Sequence, residues 1–264
     1  MSTTSPLETH ALRAGHGSRE VLRGLDLAFL RGGFTVIVGP NACGKSTLLR
    51  TLARLHAPSG GGVLLDGRAI ADFSHRERAR RLAMLPQGTE TPDGITVKDL
   101  VSRGRHPHGG LFKRWSEEDE AAVAGAMAAA GVTALAARRL DELSGGQRQK
   151  AWLAMALAQE TDLLLLDEPT TFLDLAHQIE VLELSRTLNR AGKTIVAVLH
   201  DLNQACRYAG NLVVMKDGSI RAQGSPAEIV TSELIEAVFG ISCMVIPDPL
   251  AGTPMIVPAY RTVD

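Results

Sequence analysis

Eight consecutive residues carry the first pattern with a clear chemistry. Residues 39–46 match G-x-x-x-x-G-K-[ST], and they read Gly39-Pro40-Asn41-Ala42-Cys43-Gly44-Lys45-Ser46. Glycines let successive backbone N–H groups point at one phosphate chain, and the N-terminus of a following helix is partly positive. We expect Lys45 to reach the β- and γ-phosphates and Ser46 to bind Mg²⁺, with Thr47 completing the nucleotide-binding set. The pattern predicts a nucleoside triphosphate site, which kinases, GTPases, helicases and transport ATPases share.

Two adjacent carboxylates form the second pattern. Asp167 and Glu168 follow four consecutive leucines, residues 163–166, which read as a buried strand. Side chains alternate in direction along a strand, so the two carboxylates can serve different purposes. We assign Asp167 to Mg²⁺ and Glu168 to polarising the attacking water.

Two further polar residues end apolar runs. His200 follows the run 194–199, and its imidazole could reach the γ-phosphate or be purely structural. Gln87 follows the run 82–86, and its amide could bind Mg²⁺ or order water. Ligands of open α/β sheets bind at the carboxyl ends of the strands, where these residues are expected.

A third pattern lies at residues 143–147, Leu143-Ser144-Gly145-Gly146-Gln147. Its serine and glycines open a helix through residues 151–158, which makes a second anion-binding helix N-terminus in one chain. Because one phosphate loop already holds the triphosphate, the second site makes sense if it serves the nucleotide of another subunit.

The elements that must position these residues are those of an α/β protein. Strand 36–38, the glycine loop and helix 46–55 begin an α/β nucleotide-binding fold. Strands at 21–29 and 63–65, with a turn at Asp66-Gly67, predict an antiparallel β edge. The segment 88–159 is loop-rich and then helical, with a helix over 121–137 and a turn at Gly131. We expect an ATPase domain at 1–240, with core 1–87 and 160–240 and an inserted α-helical subdomain at 88–159. A proline-rich extension, 241–264, is expected to pack on the core.

Composition narrows the class of protein. The chain has 264 residues, 28 basic and 29 acidic, so it carries no overall positive field for nucleic acid. Three scattered cysteines fit a reducing compartment better than a disulfide framework. Residues 1–10 show no secretory signal, and no run reaches the roughly 20 apolar residues of a spanning helix. Any membrane association is therefore expected to go through a partner.

Taken in order along the whole chain, these motifs resemble the ATPases of ABC transporters. The resemblance implies a P-loop NTPase fold of the ABC ATPase type, with a RecA-like parallel sheet core, an antiparallel β edge and an inserted α-helical subdomain. The resemblance rests on residues 39–46, 143–147 and 167–168 together with Gln87, Asp174 and His200. It implies a head-to-tail homodimer in which each ATP lies between the loop 39–46 of one chain and Ser144, Gly145, Gly146 and Gln147 of the other. Asp174 would lie at the dimer contact.

Other segments narrow the resemblance to importers of iron(III) siderophores, haem and cobalamin. They are residues 167–178, 103–108 and 246–254. The implied protein is an ATPase subunit that uses ATP and Mg²⁺ to drive uptake of an iron(III)-siderophore chelate. It would act with an integral-membrane permease and indirectly with an extracytoplasmic substrate-binding protein. It would lie peripherally at the cytoplasmic face of the inner membrane and bind no nucleic acid.

Three residues depart from the family pattern or invite a separate hypothesis. Ala42 replaces a glycine, which is tolerable only with a negative φ or at some cost in strain. The family usually has an aromatic ring that stacks on adenine, and in this chain that position falls on His16, whose imidazole can also stack. Cys43, beside Lys45 and a helix N-terminus, is expected to have a lowered pKa and to react with alkylating reagents.

Other functions stay open at this point. The cargo could be haem, cobalamin or zinc, because the ATPase does not touch it. A soluble member of the superfamily, acting in DNA repair or translation, would need two nucleotide domains or a long coiled coil, for which 264 residues leave no room. A small-molecule kinase is disfavoured by residues 143–147.

Overall fold

A computed structural model describes residues 5–17, 19–88, 94–109, 115–171 and 173–259. Within them the strands are β1 (Leu7–His16), β2 (Arg19–Phe29), β3 (Phe34–Val38), β4 (Gly60–Leu65), β5 (Arg68–Ala69), β6 (Leu82–Leu85), β7 (Leu163–Asp167), β8 (Thr194–Val198), β9 (Asn211–Lys216), β10 (Ser219–Gly224), β11 (Cys243–Pro247) and β12 (Pro254–Pro258). The helices are α1 (Lys45–Leu52), α2 (His75–Ala79), α3 (Val97–Arg103), α4 (Glu117–Ala129), α5 (Gly145–Leu157), α6 (Leu175–Arg190), α7 (Leu202–Tyr208), α8 (Pro226–Ile229) and α9 (Ser232–Phe239). The chain divides into two units, one within residues 1–70 and 196–264 and one within 71–195.

The first unit contains the expected antiparallel edge. Strand β1 pairs antiparallel with both β2 and β4, and β4 continues into β5 through the turn at Asp66-Gly67. Both turn residues have positive φ, 49° and 77°, as a tight hairpin turn requires. Strand β1 is not among the strands predicted from the sequence. Its register shifts between Thr9 and Leu12, around the positive φ of Ala11, and this interrupts the apolar alternation that marks a strand.

The first unit also holds the strand that leads into the glycine loop. All five residues of β3 are buried, and β3 pairs in parallel with β9 on one side. On its other side β3 neighbours β8, and the backbone N–H of Leu199 donates to the carbonyl of Ile37. Helix α1 ends at Leu52, earlier than predicted, because Arg54 takes a left-handed φ of 59°. A parallel strand therefore feeds the loop directly, as predicted.

The C-terminal residues of the first unit form a hairpin. Strands β11 and β12 pair antiparallel from Cys243 with Pro258 to Pro247 with Pro254. Asn203 of α7 exchanges hydrogen bonds with the backbone of Ile256, and Arg207 pairs with Asp248. These contacts hold the hairpin against α7.

The second unit carries the leucine strand and a helical cluster. Strand β7 is completely buried and pairs in parallel with β6. Helices α3, α4 and α5 share one apolar core, which includes Val97, Leu100, Val123, Met127, Leu140, Ala151 and Ala154. The predicted helix over 121–137 is wrong at its C-terminal end, because α4 ends at Ala129. Gly131 takes a left-handed φ of 67°, and the predicted turn at this glycine is confirmed. Among the described residues, no helix has the length and apolar character that a membrane crossing needs.

Candidate functional site

The glycine loop of the first unit is shaped by close backbone packing. A Cβ on Gly39 would lie 2.3 Å from the carbonyl oxygen of Met215, and one on Gly44 would lie 2.8 Å from Cδ2 of Leu22. Both distances exclude a larger residue without movement of the loop's neighbours. Gly44, with a φ of 109°, caps α1, so the loop opens onto the N-terminus of that helix.

Lys45 is folded back over the loop that precedes it. It is 5% exposed, and its Nζ donates to the carbonyl oxygens of Gly39 at 2.8 Å and Pro40 at 2.9 Å. These two bonds use two of the three N–H donors of an ammonium group. The ammonium is thus held at the mouth of the loop, where a third donor can serve an anion.

The structure shows the backbone conformation of Ala42 and the burial of Cys43, both of which bear on the expectations for this loop. Ala42 has a φ of 60°, so the loop retains backbone strain at a position where glycine would be relaxed. The expected lowering of the pKa of Cys43 is wrong. The thiol is 5% exposed, and burial raises its pKa, which Lys45 only partly offsets. The sequence shows the neighbouring charge but not the burial, and burial is the larger effect.

The carboxylate pair of the second unit lies where β7 ends. Asp167 is fully buried, and Glu168 is 9% exposed with a left-handed φ of 52°. Oε2 of Glu168 accepts hydrogen bonds from Nε2 of Gln87 at 2.5 Å and from the hydroxyl of Thr171 at 3.1 Å. The structure therefore brings together two residues that the sequence predicted, Gln87 and Glu168. It adds Thr171, which no motif indicated.

A small cavity of about 170 Å³ adjoins this carboxylate. It is lined by Gln87, Gly88, Gly145, Arg148, Gln149, Glu168, Thr171 and Leu173. The cavity therefore joins Glu168 to the first turn of α5, the helix that follows Ser144.

That first turn is built as a capping box. The hydroxyl oxygen of Ser144 accepts from the backbone N–H of Gln147, and the side-chain oxygen of Gln147 accepts from the backbone N–H of Ser144, both at 3.2 Å. The Ser144 oxygen is used as an acceptor, so its O–H remains a donor for an anion. Ser144 and Gly145 are exposed, whereas Gly146 is buried.

Asp174 begins the next long helix of the same unit. Its Oδ1 accepts from the backbone N–H of His177 at 2.9 Å and lies 2.7 Å from Nδ1 of the same histidine. The backbone hydrogen bond from His177 is the largest cause of a lowered pKa at Asp174, and the hydrogen bond with the His177 side chain is the second. Asp174 is exposed and ionised, at the N-terminus of α6.

The two predicted histidines lie in the first unit. His200 is exposed and follows β8, directly before Asp201, whose side chain caps α7. His16 is exposed at the end of β1, and its ring centroid lies 4.9 Å from that of His56. The imidazole of His56 also bonds the carbonyl of Gly15 at 2.8 Å, which keeps the second ring beside His16.

The donor set predicted for Mg²⁺ is chemically suitable. Ser46, Gln87 and Asp167 offer a hydroxyl, an amide oxygen and one carboxylate, and Mg²⁺ is usually bound by one or two carboxylates together with substrate phosphates and water. Because the amide nitrogen of Gln87 donates to Glu168, the amide oxygen is its remaining ligand atom. In the described part of the chain, no group of three or more His, Cys, Asp or Glu residues could hold a metal. A resident, all-protein metal centre is therefore not seen there.

Comparison with known proteins agrees with this geometry. The family model described as "ABC transporter" matches residues 22–171. The ferric enterobactin transport ATP-binding protein FepC of Escherichia coli K12 is 56% identical over 257 residues, covering 97% of this chain and 95% of that protein. The probable siderophore transport system ATP-binding protein YusV of Bacillus subtilis 168 is 53% identical over 258 residues, covering 97% and 94%.

A solved structure extends the similarity to the whole fold. A metal-chelate type ABC transporter in an inward-facing conformation matches with a TM-score of 0.84 and 29% identity, covering 98% of this chain and 100% of that one. The predicted fold class, a P-loop NTPase of the ABC ATPase type, is confirmed. The chain therefore belongs to the ABC transporter family.

Proposed function

We propose that this chain is the ATP-hydrolysing subunit of an ABC importer that takes up an iron(III)-siderophore chelate. The cargo is supported by two relatives that are more than half identical and are named for ferric enterobactin and siderophore transport. The chain works as a homodimer on an integral-membrane permease at the cytoplasmic face of the inner membrane. An extracytoplasmic binding protein delivers the chelate.

Nucleotide binding begins at the loop of residues 39–46. Its backbone N–H groups and the N-terminus of α1 bind the phosphate chain, and the Lys45 ammonium contacts the β- and γ-phosphates. The side chains of Ser46 and Thr47 complete the phosphate contacts. His16, with His56 beside it, stacks on the adenine ring. The cost is the strained backbone at Ala42, which the surrounding loop must hold in place.

We assign ATP hydrolysis to residues at the end of β7, and the main support is the orientation of one carboxylate. The Glu168 carboxylate follows a completely buried strand and is oriented by Gln87 and Thr171. We assign Glu168 to accept a proton from the attacking water, and His200 to contact the γ-phosphate. Ser46, Gln87 and Asp167 would hold Mg²⁺, which when bound neutralises charge on the phosphates.

The dimer is supported by exposed groups at two helix N-termini. Ser144 and Gly145 present a hydroxyl and backbone N–H groups at the start of α5, and these contact the nucleotide bound by the other chain. Near Asp174, the apolar side chains of Leu175 and Ile179 are 67% and 41% exposed. The two residues are four positions apart on α6, so they share one face of the helix and present apolar surface beside Asp174 to the partner chain. ATP favours the closed dimer, and hydrolysis releases it.

Uptake measured in cells that lack this subunit tests the proposal. Supplying the wild-type chain should restore accumulation of radiolabelled ferric siderophore, whereas Glu168→Gln should not. Parallel uptake assays with haem and cobalamin test the identity of the cargo independently of the role of ATP hydrolysis. Restored haem uptake without siderophore uptake would overturn the cargo, and full uptake with Glu168→Gln would overturn the role of hydrolysis.

A further inference from the structure

The imidazole of His177 lies directly against the backbone of Gly146. A Cβ at Gly146 would be 2.5 Å from Cδ2 and 2.7 Å from Cγ of this ring, closer than real Cβ atoms approach other atoms. Gly146 is buried, and it is the second glycine of residues 143–147. A side chain at position 146 would therefore displace the ring from α6 that occupies this space.

The orientation of the ring is fixed from its other side. Nδ1 of His177 lies 2.7 Å from Oδ1 of Asp174. An ionised carboxylate only accepts hydrogen bonds, so Nδ1 carries the proton and donates it. The same carboxylate oxygen accepts the backbone N–H of His177, so side chain and backbone are held together.

A second contact between α5 and α6 follows one turn later. Lys150 of α5 forms an ion pair with Glu180 of α6. Glu180 is about half exposed, its side chain being 53% accessible, and exposed ion pairs contribute little to holding two helices in one arrangement. The ring of His177 is the more restrictive contact, because it leaves no room for a Cβ at Gly146.

We propose that His177 is a positioning residue that couples Asp174 to the helix tip at Ser144, Gly145 and Gly146. The inference rests on the proposed function, in which both groups face the partner chain. One side chain touches Gly146 and bonds Asp174, so the two partner-facing groups keep a fixed spacing. Without the ring, the first turn of α5 can shift, and the nucleotide of the twin chain loses its second set of contacts.

The steric part of the proposal can be tested by a double substitution. Gly146→Ala should abolish most ATPase activity, because the new Cβ meets the ring. Gly146→Ala combined with His177→Ala should be at least about tenfold more active than Gly146→Ala alone, since the space is restored and a misplacement of about 1 Å costs up to about a hundredfold. A double variant no more active than Gly146→Ala would overturn the steric coupling.

The single variants separate positioning from nucleotide binding. His177→Ala should lower kcat roughly tenfold by loosening the composite site. Its binding of a fluorescent ATP analogue should change less than twofold, because the loop 39–46 is untouched. His177→Phe keeps a ring against Gly146 without the Nδ1 donor, so its kcat should lie between those of His177→Ala and wild type. His75→Ala, which removes an imidazole bonded to Arg78 within α2, is the control and should behave as wild type.

The outcomes distinguish this inference from the proposed function. A wild-type chain that fails to bind or hydrolyse ATP would defeat the proposed function itself. Wild type and His177→Ala with equal kcat, both folded by circular dichroism, would defeat only the role of His177. If His177→Ala does not fold, the kcat of His177→Phe tests the inference instead. A wild-type kcat in that variant would overturn the coupling to Asp174.

Discussion

The side-chain amide of Gln87 donates a hydrogen bond of 2.5 Å to the carboxylate of Glu168. The two residues are 81 positions apart in the chain, and each follows a parallel strand, β6 and β7. The bond holds the carboxylate in one orientation and reserves the amide oxygen of Gln87 for another ligand. The nucleotide-dependent steps of the proposed function depend on that orientation.

Lys45→Ala should weaken nucleotide binding strongly. The ammonium is buried at the mouth of the loop, and the alanine variant leaves no point charge there for the β- and γ-phosphates. Removing a charge-assisted contact of this kind costs about 1.5–3 kcal/mol, or roughly 10- to 150-fold in Kd. Titration with a fluorescent ATP analogue measures it. Lys98→Ala, which removes an exposed partner of Glu120, is the control, and equal affinity of the two variants would contradict the assignment.

Ala42→Gly should stabilise the chain. Alanine with a φ of 60° is strained by about 1–2 kcal/mol, and the greater freedom of glycine in the unfolded chain offsets about 0.5–1 kcal/mol of the gain. We expect a net increase of about 0.5–1 kcal/mol in the free energy of unfolding, measured by urea denaturation.

Ala191→Gly is the matched control for this substitution. Ala191 caps the end of α6 with a φ of −78°, so glycine relieves no strain there and should destabilise the chain. Destabilisation of similar size in both variants would show that the backbone at Ala42 is not strained.

Cys43 should react slowly with iodoacetamide at pH 7.5. Burial raises the pKa of its thiol, and the reactive thiolate is correspondingly scarce. Cys206 is also buried, and desolvation raises its pKa to about 11, while Cys243 is only partly buried. Peptide mass spectrometry over time should find Cys243 labelled first. Prior labelling of Cys43 in the folded protein would contradict the effect of burial.

The Arg207–Asp248 pair should make the C-terminal hairpin sensitive to acid. Hydrogen bonds from Arg207 and from the backbone of Ala251 and Leu250 lower the pKa of Asp248 from 3.8 to about 2. A lowered carboxyl pKa stabilises the folded state above the unfolded pKa, and this contribution is lost as the pH falls from about 4 to about 2.

Asp248→Asn should therefore lower the urea midpoint at pH 7, and its difference from wild type should shrink as the pH falls below 4. Asp162→Asn, at an exposed aspartate of the other unit, controls for the removal of one charge. A difference for Asp248→Asn that stays constant between pH 7 and pH 3 would mean that the ionised carboxylate does not hold the hairpin.

The sequence predicted the features that local patterns encode. The glycine loop, the leucine strand before Asp167 and the capped helix after Ser144 each depend on a few consecutive residues, and each was found where expected. The fold class followed from their order along the chain.

What the sequence did not reveal depends on distant residues. The Thr171 bond to Glu168 and the packing of His177 on Gly146 arise only when strands and helices have assembled. Strand β1 cannot be recognised from apolar alternation because a bulge at Ala11 disturbs its pattern. The direction of the pKa shift of Cys43 cannot be predicted from its neighbours in sequence, because its burial is a property of the folded loop.

Glu168→Gln tests the central claim most directly. A glutamine retains an oxygen that can accept from Gln87 and Thr171, so the site should keep its shape while losing the base that accepts the proton. We expect ATP to bind normally and turnover to fall at least about a hundredfold. Glu118→Gln, at an exposed glutamate of α4, is the control.

The decisive readout is the mass of the Glu168→Gln variant by light scattering. With ATP and Mg²⁺ it should double to that of a dimer, and Ser144→Arg in the same chain should prevent the change by blocking the second contact. A hydrolysis-deficient variant that binds ATP yet stays monomeric, even with its permease, would contradict an engine built from two copies of this chain.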